Sequence, residues 1–133
     1  MKRSLVFAAA AAALVFAGGR AMVRAQDDRP LDPKVIAWDK GPDKIDVSKY
    51  PAEMKQRYKI YADLCSRCHP LARAVNCDFV LEDEWERYIK RMMRRGGRMI
   101  SPDDAEAIFT FATYDAKMRK RSLYETKMAA ANK

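Results

Sequence analysis

Cys65-Ser66-Arg67-Cys68-His69 restricts most narrowly what this 133-residue chain can fold around. Two thiols two residues apart, followed at once by an imidazole, have the spacing that lets both sulfurs add across the vinyl groups of one haem. The adjacent histidine is then held under the iron. The motif predicts one covalent haem c per chain, attached at Cys65 and Cys68, with His69 as proximal iron ligand. Other uses of the pattern fit less well. A redox C-x-x-C of the thioredoxin type follows a strand, and the run before Cys65 reads as helix. A structural zinc site needs four ligands, and beyond this motif the chain offers one more cysteine, Cys77, and no second histidine.

The amino terminus agrees with chemistry performed outside the cytoplasm. Lys2 and Arg3 precede an apolar, alanine-rich stretch from Leu5 to Ala17, which Gly18 and Gly19 break. The stretch is short for a membrane span and has the form of a secretory signal. Residues 1–25 are therefore expected to be a signal peptide, with cleavage after Ala25; cleavage after Ala21 or retention as an anchor are the alternatives. A periplasmic location follows. The formal net charge is +8, and the leader carries four basic residues and no acidic one, so a chain beginning at Gln26 carries +4. Interspersed acids in an exported chain speak against nucleic acid as a partner. What remains is one small domain, with limited apolar core of its own. Cys77 is expected to be a free thiol acting as a small apolar side chain.

Residues 26–47 read as an extended arm punctuated by Pro30, Pro33, Gly41 and Pro42, with Val35, Ile36 and Trp38 as its apolar cluster. A helix is expected to start near Ser48–Pro51 and to run from Ala52 to Leu64. Met54, Tyr58, Tyr61 and Leu64 recur on one face of it. Pro70 to Leu81 is expected to be a loop beside the haem, with Arg73 either near a propionate or in solvent. A second helix begins at the acids Glu82, Asp83 and Glu84. Its stripe is Trp85, Tyr88, Ile89 and Met92, and Gly96-Gly97 end it. Ser101-Pro102-Asp103-Asp104 is a strong start signal for a third helix, reaching about Lys120. Residues 121–133 form a basic tail, expected to be a frayed extension or disordered.

With a single histidine, two imidazoles cannot ligate one iron within one chain. The sixth ligand must be methionine, lysine or water, or be absent. Met92, Met93 and Met99 are the candidates. Met92 shares a face with Trp85, Tyr88 and Ile89; Met93 points about 100° away; Met99 lies two residues before the Ser101 cap. The stripe favours Met92, and each methionine could instead fill core space.

The order helix, C-x-x-C-H, loop, helix, methionine, closing helix resembles a class I monohaem cytochrome c across residues 48–120. Tyr61-Ala62-Asp63-Leu64-Cys65-Ser66-Arg67-Cys68-His69-Pro70-Leu71-Ala72-Arg73 and Trp85-Glu86-Arg87-Tyr88-Ile89-Lys90-Arg91-Met92 carry a closer likeness. They look like small periplasmic cytochromes, including the haem domain of green-sulfur-type reaction-centre cytochromes and the cytochrome subunits of some periplasmic oxidoreductases. The resemblance implies an all-α cytochrome c-like fold packed around one haem, and Met92 as the iron ligand. Arg57 departs from it, standing where class I cytochromes usually carry glycine at the crossing of first and last helices. A wider or shifted crossing follows there, with Tyr61 against Ile108 and Phe111.

The function expected is one-electron transport with His69/Met92 ligation, not catalysis. The partners are redox proteins, acidic or membrane-bound, and no small-molecule substrate is called for. The same haem domain could serve as the electron-transfer subunit of an exported oxidoreductase. A vacant iron would suit gas sensing or peroxide chemistry, but the chain has no distal histidine. Lys90, Arg91, Arg94, Arg95 and Arg98 could steer an acidic partner, or form a solvated helix end.

Overall fold

The computed structural model describes residues 30–132, and Leu31–Lys133 forms one compact unit. The expected signal peptide, residues 1–25, lies outside the described residues, as do the first residues of the arm. Among the described residues the fold is all-α. Six helices occur, α1 (Pro33–Asp39), α2 (Ala52–Cys65), α3 (Leu71–Asn76), α4 (Glu82–Gly96), α5 (Pro102–Arg119) and α6 (Arg121–Ala131), with a single 3-10 turn at Gly97–Met99 and no strand. No helix among them is long and apolar enough to cross a membrane.

α2 and α5 form the spine, and α4 lies against α5. Their shared core is aromatic. Phe111 is fully buried, with ring centroids 5.0 Å from Tyr61 and 5.2 Å from Tyr58. Tyr61 and Ile108 are buried beside it, so the expected pairing of α2 with α5 is present. Arg57 does not obstruct it, because its guanidinium turns along α2 to Glu53 at 2.8 Å.

The local signals explain where these helices begin and end. Ser101 Oγ accepts from the Asp104 amide at 3.1 Å while Asp104 Oδ2 accepts from the Ser101 amide at 3.2 Å, and Pro102 follows the cap. This reciprocal cap satisfies donors that an α-helix leaves free. Glu84 accepts from the Val80 and Leu81 amides at 2.9 and 3.0 Å, which fixes the entry into α4. α4 ends at Gly97, whose φ of 62° is open to glycine and strained for other residues.

Three segments are more ordered than expected. The arm contains α1, because Asp32 caps the Lys34 amide at 2.8 Å and Pro33 takes the first helical position, where a missing N–H costs nothing. Pro33 therefore starts a helix and does not merely interrupt the arm. The loop after His69 contains α3, which again opens behind a proline, Pro70. The basic tail is helical as α6. Lys127 ties it down, donating to Glu84 Oε1 at 2.6 Å and the Asp78 carbonyl at 2.7 Å.

Candidate functional site

A cavity of about 470 Å³ opens between α1, the end of α2, α4 and the turn before α5. That volume falls in the range of small-molecule and cofactor sites. Its walls are mostly apolar and aromatic, with Leu64, Phe79, Trp85, Ile89, Ile100 and Ile108 among them. Cys65, Cys68 and His69 all line it, brought there by the end of α2 and the turn that follows. Met92, from the buried stripe of α4, lines it too. The four residues singled out in sequence thus face one space.

The other two methionines separate. Met99 also lines the cavity, whereas Met93 packs against the core and takes no part in the lining. Met92 is half-buried and Met99 is 44% exposed. A rigid helix places the first; a short turn between two caps places the second.

The His69 ring is oriented from both sides. Nδ1 lies 3.1 Å from the Pro70 carbonyl oxygen, which can only accept, so Nδ1 carries the proton and donates. In the neutral ring Nε2 then keeps its lone pair, the form a metal requires. The Tyr88 hydroxyl donates to that atom at 3.2 Å. Tyr88 must release Nε2 whenever the nitrogen takes a metal. Sequence placed Tyr88 on the correct face but gave no sign of this bond.

Cys65, Cys68 and Cys77 are free thiols. Burial pushes the Cys65 thiol up to about 12, and nearby Cys77 adds to the shift. Cys68 is exposed at the cavity edge. Cys77 is 3% exposed, donates to the Ala74 carbonyl at 3.2 Å, and is raised chiefly by burial. It occupies the core as a small apolar side chain.

Trp85 also lies on the cavity wall, and its buried Nε1–H has no partner among the described residues. Leaving such a donor unsatisfied costs about 1–3 kcal/mol. An apolar cavity lined by two thiols, a thioether and an imidazole whose Nε2 Tyr88 would have to release carries the donor set that a covalent haem would need.

Arginines surround the opening. Arg67 pairs with Asp63 at 2.6 Å, and Arg73 with Asp39 at 2.6 and 2.8 Å. Arg73 is therefore engaged by the arm and not loose in solvent. Arg91 lies over the Tyr88 ring at 5.3 Å, and Lys90 pairs with Glu86 at 2.6 Å. Among the described residues, Arg91, Arg94, Arg95 and Arg98 are exposed and make no ion pair. Trp38 packs edge-on to Phe79 at 5.7 Å and lines the cavity from the arm.

Comparison with family models, curated proteins and solved structures finds no match to this chain.

Proposed function

We propose that the chain is a one-electron carrier of the cytochrome c kind, exported to the periplasm, with one covalent haem on Cys65 and Cys68 and His69/Met92 ligation. The observation that carries this reading is that Cys65, Cys68, His69 and Met92 line one apolar cavity. When bound, the haem iron supplies reversible one-electron chemistry near neutral pH. The chain contributes the rest. Pro70 fixes the imidazole tautomer through Nδ1. α4 carries Met92 on the same face as the buried Trp85, Tyr88 and Ile89, so the thioether is held by packing and not by a loop. Aromatic and aliphatic side chains wall the cavity, and apolar surroundings limit rearrangement when charge changes. With His69 and Met92 both holding the iron, no open position would remain for a substrate, in keeping with a carrier.

Arg91, Arg94, Arg95 and Arg98 form an exposed cationic edge beside the opening, and Arg91 and Arg95 line it. Such an edge raises encounter rates with an acidic redox protein.

The optical spectrum of the exported protein tests the reading. A low-spin reduced form with a sharp α-band, and a weak far-red methionine–iron band when oxidised, are expected. A high-spin spectrum in both states would replace the carrier with a vacant-iron protein.

A further inference from the structure

α1 buries none of its residues completely, yet it is held firmly. Its attachments are polar and lie mostly on α3, the helix that follows His69. Asp39 accepts from Arg73 Nε at 2.8 Å and Nη2 at 2.6 Å, a two-point clasp with both side chains no more than a fifth exposed. Lys34 pairs with Asp78 just beyond α3. The Asn76 amide nitrogen reaches the Trp38 and Pro42 carbonyls at 3.1 and 2.9 Å. Gly41 permits that approach, since a Cβ there would run into the Asn76 amide.

The opposite character appears toward the cavity. Leu31, Val35 and Trp38 recur at steps of four and three, and all three line it. Leu31 remains 52% exposed, and the other two are half-buried. Val35 and Trp38 of α1, with Leu31 just before its cap, form an apolar stripe on a segment fixed by polar contacts; because it faces a cavity of ligand size, what fills that cavity completes its burial.

We propose that α1 is a strap that closes over the group held in the cavity, locked by the Asp39–Arg73 clasp to the segment carrying His69, and that this closure sets how much water reaches the group and hence its redox potential. The second half rests on the haem reading. Fork-to-fork pairing of arginine with carboxylate is directional, so the clasp fixes the angle of α1 as well as its distance. Admitting water favours the more highly charged oxidised state, which lowers the potential.

The test uses the exported, haem-bearing protein and the variants Asp39→Asn, Arg73→Gln and the pair Leu31→Ser with Val35→Ser. In the two clasp variants, hydrogen exchange at the Lys40 and Gly41 amides, which close α1 onto the Ala37 and Trp38 carbonyls, is expected to quicken about tenfold or more. Exchange in α5 should stay unchanged. The serine pair, which changes no charge, should show a lower midpoint potential with the same low-spin spectrum. Unchanged exchange in both clasp variants would overturn the lock. A wild-type potential in the serine pair, which leaves the clasp intact, would overturn the strap even if the clasp variants fail to fold. A wild-type chain with the mass of polypeptide alone would instead remove the haem reading, a result distinct from either.

Discussion

Removing the Asp115 carboxylate should destabilise the protein without disturbing the site. Asp115 is 4% exposed and takes three donors. The Tyr50 hydroxyl donates at 2.9 Å, Arg119 Nη2 at 2.7 Å and Arg119 Nε at 3.1 Å. Arg119 also reaches the Val75 carbonyl at 2.9 Å, so the group joins the segment before α2, α3 and α5. Asp115→Ala leaves the Tyr50 hydroxyl and a guanidinium without their acceptor. Breaking a fully buried pair costs about 3–5 kcal/mol. The Arg119 side chain is one-third exposed and can recover some hydration, so the lower end applies, about 3 kcal/mol. Asp115→Asn keeps the shape and loses the charge, and should cost less. An exposed pair sets the scale: Glu86→Gln, which breaks the Lys90 contact, should cost less than about 0.5 kcal/mol. Urea unfolding of the haem-bearing protein, with stability taken at equal slope, measures all three. None of Tyr50, Asp115 and Arg119 lines the cavity, so the visible spectrum should match wild type. A loss below about 1 kcal/mol for Asp115→Ala would show that the pair behaves as a surface contact, and the burial argument would fail.

Met92→Ala should abolish the far-red band, lower the potential and open the iron to carbon monoxide, while Met93→Ala and Met99→Ala keep the band. Loss of the band in Met99→Ala alone would transfer ligation from α4 to the turn. Glu84→Ala should cost about 1–2 kcal/mol through the lost cap and quicken amide exchange in α6, where Lys127 loses its partner. Burial pushes the Glu84 carboxyl up, but its bonds from Lys127, Leu81 and Val80 outweigh that and hold it below 4.5. Its contribution is therefore complete above pH 4.5 and is lost as pH falls through the lower folded value. Wild type should lose more stability than Glu84→Ala over that acid range, and parallel pH profiles would contradict the sign. Electron exchange with an acidic partner should slow as salt rises, since screening acts over only about 8–10 Å at 0.1–0.15 M. Arg94→Gln with Arg95→Gln should flatten that dependence at unchanged haem content.

Legibility in the sequence followed the range of the forces involved. Ser101-Pro102-Asp103-Asp104 and Gly96-Gly97 act within a turn of the chain, and α5 begins and α4 ends where they point. The stripe of Trp85, Tyr88 and Ile89 is buried as its spacing requires, because a helix face is set by local geometry. α1, α3 and α6 were not legible because partners far along the chain support them. α1 is fastened by Arg73, Asn76 and Asp78, and α6 by Glu84 and the Asp78 carbonyl. Such short helices are marginal alone and depend on packing, so an arm rich in proline and charge gave little sign of one. Pro33 acted as a helix start only because Asp32 preceded it. At the site, the C-x-x-C-H spacing and the α4 stripe named residues that share one cavity, whereas the Tyr88–His69 bond and the orphaned Trp85 indole depend on tertiary placement.

The intact mass of the exported protein after denaturation tests the central claim most directly. Polypeptide plus one haem is the predicted result, with the addition lost when Cys65→Ser and Cys68→Ser are combined. A mass equal to the polypeptide alone from cells competent to attach haem, or an addition that survives the double substitution, would contradict it.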